Sequence, residues 1–184
     1  MKILIIDIET TGFLQANGKI VEIGMVELDL TNGKTEIVFD SVCHERPITL
    51  QEVENSWIIN NSDLTVDLIR NSPQLRDIEE YVQKTIDAYE NGCTAFNNAF
   101  DFGFLEDRGF EFKKKLDCPM KLATPIMKLP KKNGYGGFKY PNVMEAYKYF
   151  VSEEEYIEKH RGADDALHEA QIVYELYKRG IFKP

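Results

Sequence analysis

Ile3-Leu4-Ile5-Ile6-Asp7-Ile8-Glu9-Thr10-Thr11-Gly12 decides how the rest of the chain is read. Its aliphatic run fits a strand buried on both faces, as in the middle of a helix-covered sheet. Side chains alternate along a strand, so Asp7 and Glu9 share one face and Ile8 takes the other. Two carboxylates so placed repel unless a cation or a shared proton lies between them. The Thr-Thr-Gly that follows adds small hydroxyls and a backbone able to turn close to a ligand. The stretch reads as half of a metal site at a strand end; the plainer alternative is a solvated strand end.

Working outward, Ile20 to Leu30 and Thr35 to Cys43 read as two further strands. Asn32-Gly33 between them makes an antiparallel hairpin, because a tight turn needs positive φ. Ile48 to Arg70 has helical patterning interrupted at Asn60-Asn61-Ser62-Asp63. A longer helix is expected from Ser72, with Pro73 at its first helical position, to about Glu90. Cys93 to Phe96 is a fourth strand, followed by a helix from Ala99 to about Arg108 with Asn97 and Asn98 as cap candidates. A short fifth strand is expected around Leu116 to Pro119. Lys131 to Lys139 reads as a glycine-rich loop, Pro141 as the start of a helix reaching Phe150, and Ser152 to Lys159 as an exposed acidic run. A last helix spans Ala166 to about Arg179. The pattern is an α/β domain, 1–184, with a mixed sheet of five strands flanked by helices. Ligands of such sheets bind beyond the carboxyl ends of central strands, where Asp7 and Glu9 fall.

The 184 residues carry a formal net charge of −9, which argues against gripping long duplex nucleic acid by charge alone. An enzyme holding a few nucleotides is compatible with it, since metal-binding carboxylates make an apoprotein look more acidic than its loaded form. Three scattered cysteines with no CxxC pair suggest neither a disulfide framework nor a zinc cluster, and a reducing, cytoplasmic location. The opening apolar run is too short for a signal peptide and no later one could span a membrane.

Two other segments carry charge that structure alone does not demand. Asp101 lies among four phenylalanines near a helix start, where it could simply complement the helix dipole. His160 precedes Asp164-Asp165 at a loop-to-helix junction; a surface His and a helix-capping Asp would explain both, and spacing does not say which Asp turns inward. Taken together, four carboxylates and one His form an oxygen-rich shell suited to Mg²⁺ or Mn²⁺ more than to zinc.

Asp7-x-Glu9-Thr10-Thr11-Gly12, Asn97-x-x-Phe100-Asp101-x-x-Phe104-Leu105 and His160-x-x-x-x-Asp165-Ala166 resemble the three motifs of the DEDDh 3′→5′ exonucleases. That family includes the proofreading subunit of bacterial DNA polymerase III and ribonuclease T. The motifs span nearly the whole chain. One departure is Phe96 before Asn97, where relatives often carry His. The resemblance implies a ribonuclease H-like fold and two divalent metals, Mg²⁺ or Mn²⁺, held by Asp7, Glu9, Asp101 and Asp165. It implies His160 as general base and favours Asp165 over Asp164, because the family's last Asp precedes an Ala. Thr10, Thr11, Asn97 and Trp57 are implied as substrate contacts, although Trp57 reads equally well as a core residue. The implied substrate is the 3′ end of single-stranded nucleic acid, DNA favoured over RNA, released as nucleoside 5′-monophosphates. A homodimer and a polymerase partner are the assemblies the family suggests. The competing readings are a binding or polymerase-associated module that keeps the fold with little activity, and an aspartate-nucleophile phosphatase, which would leave His160 unexplained.

Overall fold

The alternation of Lys2–Thr10 (β1) divides the hydrophobic core in two. In this computed structural model, which describes residues 1–131, 136–153 and 156–184, Ile3, Leu4, Ile5 and Ile6 are each 0% exposed. Ile3 and Ile5 pack into one cluster with Ala166, Ala170, Val173 and Leu176. Leu4, Ile6 and Ile8 pack into the other with Val82, Ile86, Phe102 and Phe104. Each aliphatic side chain so removed from water contributes about 1.5–3 kcal/mol. Asp7 and Glu9 share the parity of Ile3 and Ile5, so the strand turns them toward the first of these layers.

β1 pairs antiparallel with Ile20–Asp29 (β2), and β2 with Lys34–Val42 (β3). Gly33 closes the hairpin with φ +76°, as its turn requires. Cys93–Thr94 (β4) lies parallel on the other side of β1, giving the order β3-β2-β1-β4. The sheet is mixed and helix-flanked as expected, but it has four strands, not five. The segment around Leu116 makes only a single bridge, Cys93 to Lys115. Its neighbour β4 is two residues long, because the Phe96 N–H leaves the ladder and donates to Glu169 at 3.1 Å.

The stretch that begins at Ile48 forms three helices, Leu50–Glu54 (α1), Trp57–Asn61 (α2) and Val66–Asn71 (α3), whose apolar faces close over Val21; the expected interruption falls at the end of α2 and the turn that follows it, whereas the break at Asn55-Ser56 was not expected. The long helix starts later than expected, at Leu75–Asp87 (α4). Pro73 stands outside it because the Pro73 carbonyl accepts from the His44 N–H at 3.0 Å, keeping 73–74 beside extended chain. Asn98–Asp107 (α5) follows, then Pro119–Met127 (α6), which the sequence reading did not anticipate. Val143–Phe150 (α7) begins two residues after Pro141, capped by Asn142 and Glu145. The last helix, Gly162–Lys178 (α8), begins four residues earlier than predicted, so Asp165 lies in its first turn. Within the predicted glycine-rich loop and acidic run, residues 132–135 and 154–155 lie outside the described residues.

Two glycines let α8 reach the sheet. A Cβ on Gly24 would fall 2.0 Å from the carbonyl carbon of Gly162, and one on Gly162 would fall 2.7 Å from the Gly24 nitrogen. Gly24 is the register partner of Asp7, so this contact also sets how closely α8 approaches the acidic end of β1. Gly24→Ala is expected to destabilise by about 3 kcal/mol, the upper end of what overpacking costs. An unchanged urea midpoint would contradict that.

Candidate active site

Three elements bring carboxylates to one end of the sheet. β1 carries Asp7 and Glu9, the first turn of α5 carries Asp101, and the first turn of α8 carries Asp165. Of the Asp164-Asp165 pair, Asp165 is the buried one, 2% exposed, while Asp164 pairs with Lys159 at 2.9 Å. Asp165 is held twice: Oδ2 accepts from the Arg161 N–H at 3.0 Å, and Oδ1 accepts from the Tyr156 hydroxyl. Asp101 is buried, and its Oδ1 accepts from the Ile8 N–H at 3.2 Å, which ties α5 to β1 between the two acids of that strand. Ligand atoms of Glu9, His160 and Asp165 all lie within 4.8 Å of one another. Asp7 and Asp101 stand outside that tightest group but act on the same volume electrostatically.

The electrostatics are those of acids crowded together. Burial, then the charges of Glu169, Glu9, Asp101 and Asp165, hold the Asp7 carboxyl well above the usual carboxylate range. Burial and the Asp165 charge push Glu9 up to about 9. Burial pushes Asp101 to about 7, against the opposing pull of the Ile8 N–H. Among the described residues no Lys or Arg side chain pairs with any of the four. Such a set suits a hard divalent cation, which prefers oxygen ligands and would lower every one of these values. The residues fit the metals that the sequence reading implied.

His160 sits just ahead of α8 with φ 54°, a backbone conformation that non-glycine residues seldom adopt. Its Nδ1 lies 4.0 Å from Glu158 Oε1, and its ring meets the Trp57 ring edge-on with centroids 4.6 Å apart. Burial lowers its pKa, so the imidazole is neutral at physiological pH and able to accept a proton.

Beside Glu9 lies a cleft of about 380 Å³ lined by Glu9, Thr10, Gly12, Phe13, Trp57 and Phe100. Trp57 is 58% exposed on the cleft wall rather than in the core. Thr10 lines the cleft, with its hydroxyl donating to the Gly12 carbonyl at 2.9 Å. The Thr11 hydroxyl instead accepts from the Lys19 N–H at 3.0 Å, a loop contact away from the cleft. Asn97 is exposed at the N-terminus of α5 without a side-chain cap bond. A larger depression of about 550 Å³, lined by His44, Arg46, Ile48, Leu50, Ile69 and Arg70 among others, holds none of the predicted site residues.

Sequence reasoning missed four contributors. Phe13 is an isolated aromatic in the stretch between β1 and β2, and Phe100 stands among the phenylalanines of α5. Glu169 is buried and stands four residues after Asp165, the helical spacing that would have placed both on one face. Glu158 is pushed up to about 7 by burial and the Asp165 charge, and had been read as part of an exposed acidic run.

The exonuclease family RNase_T matches residues 4–173 of this chain. The DNA polymerase III PolC-type of Clostridium perfringens is 26% identical over 183 residues, covering 96% of this chain. The chain spans only 11% of that protein's length. Among solved structures, the nuclease domain of 3′hExo, a DEDDh family member bound to rAMP, superposes with a TM-score of 0.69 at 17% identity, covering 100% of this chain and 96% of that one. A 3′-exonuclease recognising a histone mRNA stem-loop gives 0.73 at 16% identity, covering 99% and 84%. E. coli Exonuclease I in complex with a dA16 oligonucleotide gives 0.62 at 11% identity, covering 96% and 41%. At these identities the structural likeness is one of fold, the ribonuclease H-like fold.

Proposed function

We propose, from the premise that this chain belongs to the DEDDh-type exonuclease family, that it is a metal-dependent 3′→5′ exonuclease of single-stranded nucleic acid, DNA favoured over RNA. The observation that carries this reading is the meeting of Asp7, Glu9, Asp101 and Asp165 with no basic side chain of the described residues paired to them, beside a neutral His160. The preference for DNA rests on the relative that is a DNA polymerase III.

Asp7, Glu9, Asp101 and Asp165 would hold two ions, Mg²⁺ or Mn²⁺, which when bound would neutralise the scissile phosphate and acidify water beside it. The chain's own groups do the rest. His160 takes the proton of the attacking water, with the Glu158 carboxyl 4.0 Å from its Nδ1. Trp57, Phe13 and Phe100 offer faces for terminal bases, and stacking tolerates any base. The turn at Thr10-Thr11-Gly12 brings backbone toward the terminal sugar. Single strands are preferred because a paired end must first be frayed. The products are nucleoside 5′-monophosphates.

The test is digestion of matched 5′-labelled DNA and RNA single strands with Mg²⁺ or Mn²⁺. A ladder shortening from the 3′ end, blocked by a 3′-terminal phosphate, supports the reading. Binding without cleavage makes the chain a module of the same fold, and phosphate release from a small monoester alone makes it a phosphatase. In the same assay Trp57→Ala is expected to raise KM about tenfold, since base stacking is worth about 1–3 kcal/mol. An unchanged KM removes Trp57 from the substrate contacts.

We take 1–184 as one domain working in the cytoplasm; among the described residues no helix is long and apolar enough to cross a membrane. A polymerase partner and a homodimer are distinguishable by sedimentation of the chain alone and with a polymerase subunit.

A further inference from the structure

Besides the contact of their rings, the loop carrying His160 and the cleft wall carrying Trp57 are joined by one further side chain. Glu22 of β2 is 1% exposed, and Arg161 grips it in a fork. Arg161 Nε donates to Oε1 at 3.0 Å and to Oε2 at 3.1 Å, and Nη2 donates to Oε1 at 2.8 Å. The Gly162 N–H adds a further bond to Oε2 at 3.1 Å. The other arm of the guanidinium, Nη1, reaches out to Asp63 Oδ1 at 2.7 Å, in the turn after α2. Trp57 is the first residue of α2, and its ring lies edge-on against His160, one residue before Arg161.

The two arms have different work to do. The buried arm is needed for folding, because Glu22 stripped of its partner would be an uncompensated interior charge. The Asp63 side chain is 74% exposed, and a bridge so placed adds little to stability. Its geometric effect is larger: it fixes the end of α2 to the residue that follows His160. A non-glycine residue with φ 54° persists only where its surroundings over-determine it. Here Arg161 pins the chain immediately after His160, and Trp57 closes on the ring itself.

We propose that Arg161 is a positioning residue that locks the Trp57 wall of the cleft to the His160 loop, so that base stacking and proton acceptance keep a fixed relative placement. This rests on the reading of the cleft as the seat of a terminal nucleotide. Arg161 has no contact with the reacting atoms in this role; it acts through its neighbours on either side.

Trp57 is the only tryptophan in the chain, so its fluorescence reports the contact with His160 directly. Asp63→Ala removes the acceptor of Nη1 and so cuts the exposed arm alone. It is expected to keep the wild-type Tm, to shift Trp57 emission toward that of His160→Asn, and to lower kcat/KM about tenfold, mostly through KM. Asp63→Glu should restore both readouts. Arg161→Lys keeps the charge but loses the planar fork. Adding Asp63→Ala to it should change nothing further, because the two residues act as one unit. Wild-type emission and kinetics in Asp63→Ala would overturn the proposal, as would full additivity of the pair. Emission is read on the free protein, so it decides the clamp even if no strand is digested and the exonuclease reading falls.

Discussion

His160→Asn is expected to slow 3′-terminal cleavage by about 10²–10⁴-fold, the usual cost of removing one positioned acid/base group. Asn is the informative replacement because it tolerates the left-handed backbone at this position, so the loop keeps its path. Its amide has no basicity to offer a water proton. The wild-type rate should rise with pH through a value below 6.5, because burial favours the neutral ring, and then level off. In His160→Asn that limb should be gone. Single-turnover cleavage of a labelled strand with saturating Mg²⁺ measures both effects, while the thermal midpoint checks the fold. A folded variant cleaving at the wild-type rate, or one that keeps the same pH limb, removes His160 from the role of base.

Much of this site was legible in the sequence because its signals were local. Asp7 and Glu9 follow an aliphatic run whose period sends both to one face, and the structure puts that face toward α8. His160 and Asp165 stand close together in the chain, and the choice between Asp164 and Asp165 fell to the family resemblance; the structure turns Asp165 inward. What stayed hidden depends on contacts distant in sequence. Glu22 looks like one polar residue in a strand until Arg161 arrives 139 positions later. Phe13 is an unremarkable aromatic until the loop after β1 and the start of α2 face each other across the cleft, whereas Trp57 was marked by the family resemblance and stands on the cleft wall. The fifth strand was misjudged for the same reason. Leu116 has strand-like neighbours, but its partner β4 ends after two residues because Glu169 on α8 captures the Phe96 N–H.

Asp7→Asn is expected to abolish most activity and yet to raise the thermal midpoint of the metal-free protein. Asp7 is the cleanest of the four acids for this test. Asp165 and Asp101 accept backbone or hydroxyl donors that an amide would disturb, whereas Asp7 is raised by burial and by four neighbouring carboxylates, with no opposing side-chain bond among the described residues. An amide is neutral at every pH, so folding no longer has to protonate or crowd this carboxyl, at nearly constant shape. One pKa unit corresponds to about 1.4 kcal/mol, and about 1 kcal/mol moves the midpoint of a chain this size by about 2–4 °C. Activity falls because a fixed charge aimed at the reacting centre is lost, typically at about 10²–10³-fold. The sign of the pH dependence follows from the same groups. Glu9 at about 9 and Asp101 at about 7 bind protons more tightly in the folded protein than in the unfolded chain. Unfolding therefore releases protons, and metal-free stability falls as pH rises from near 4 through 7 toward 9. A divalent cation binds the folded state and cancels the repulsion, so its stabilising effect should grow over that interval. Midpoints with Mg²⁺ and with chelator, taken from pH 5 to 9, should diverge in the wild type and diverge less in Asp7→Asn. Parallel curves for the two proteins, or a lowered chelator midpoint in the variant, would mean that Asp7 does not share a charge-crowded metal site with Glu9, Asp101 and Asp165.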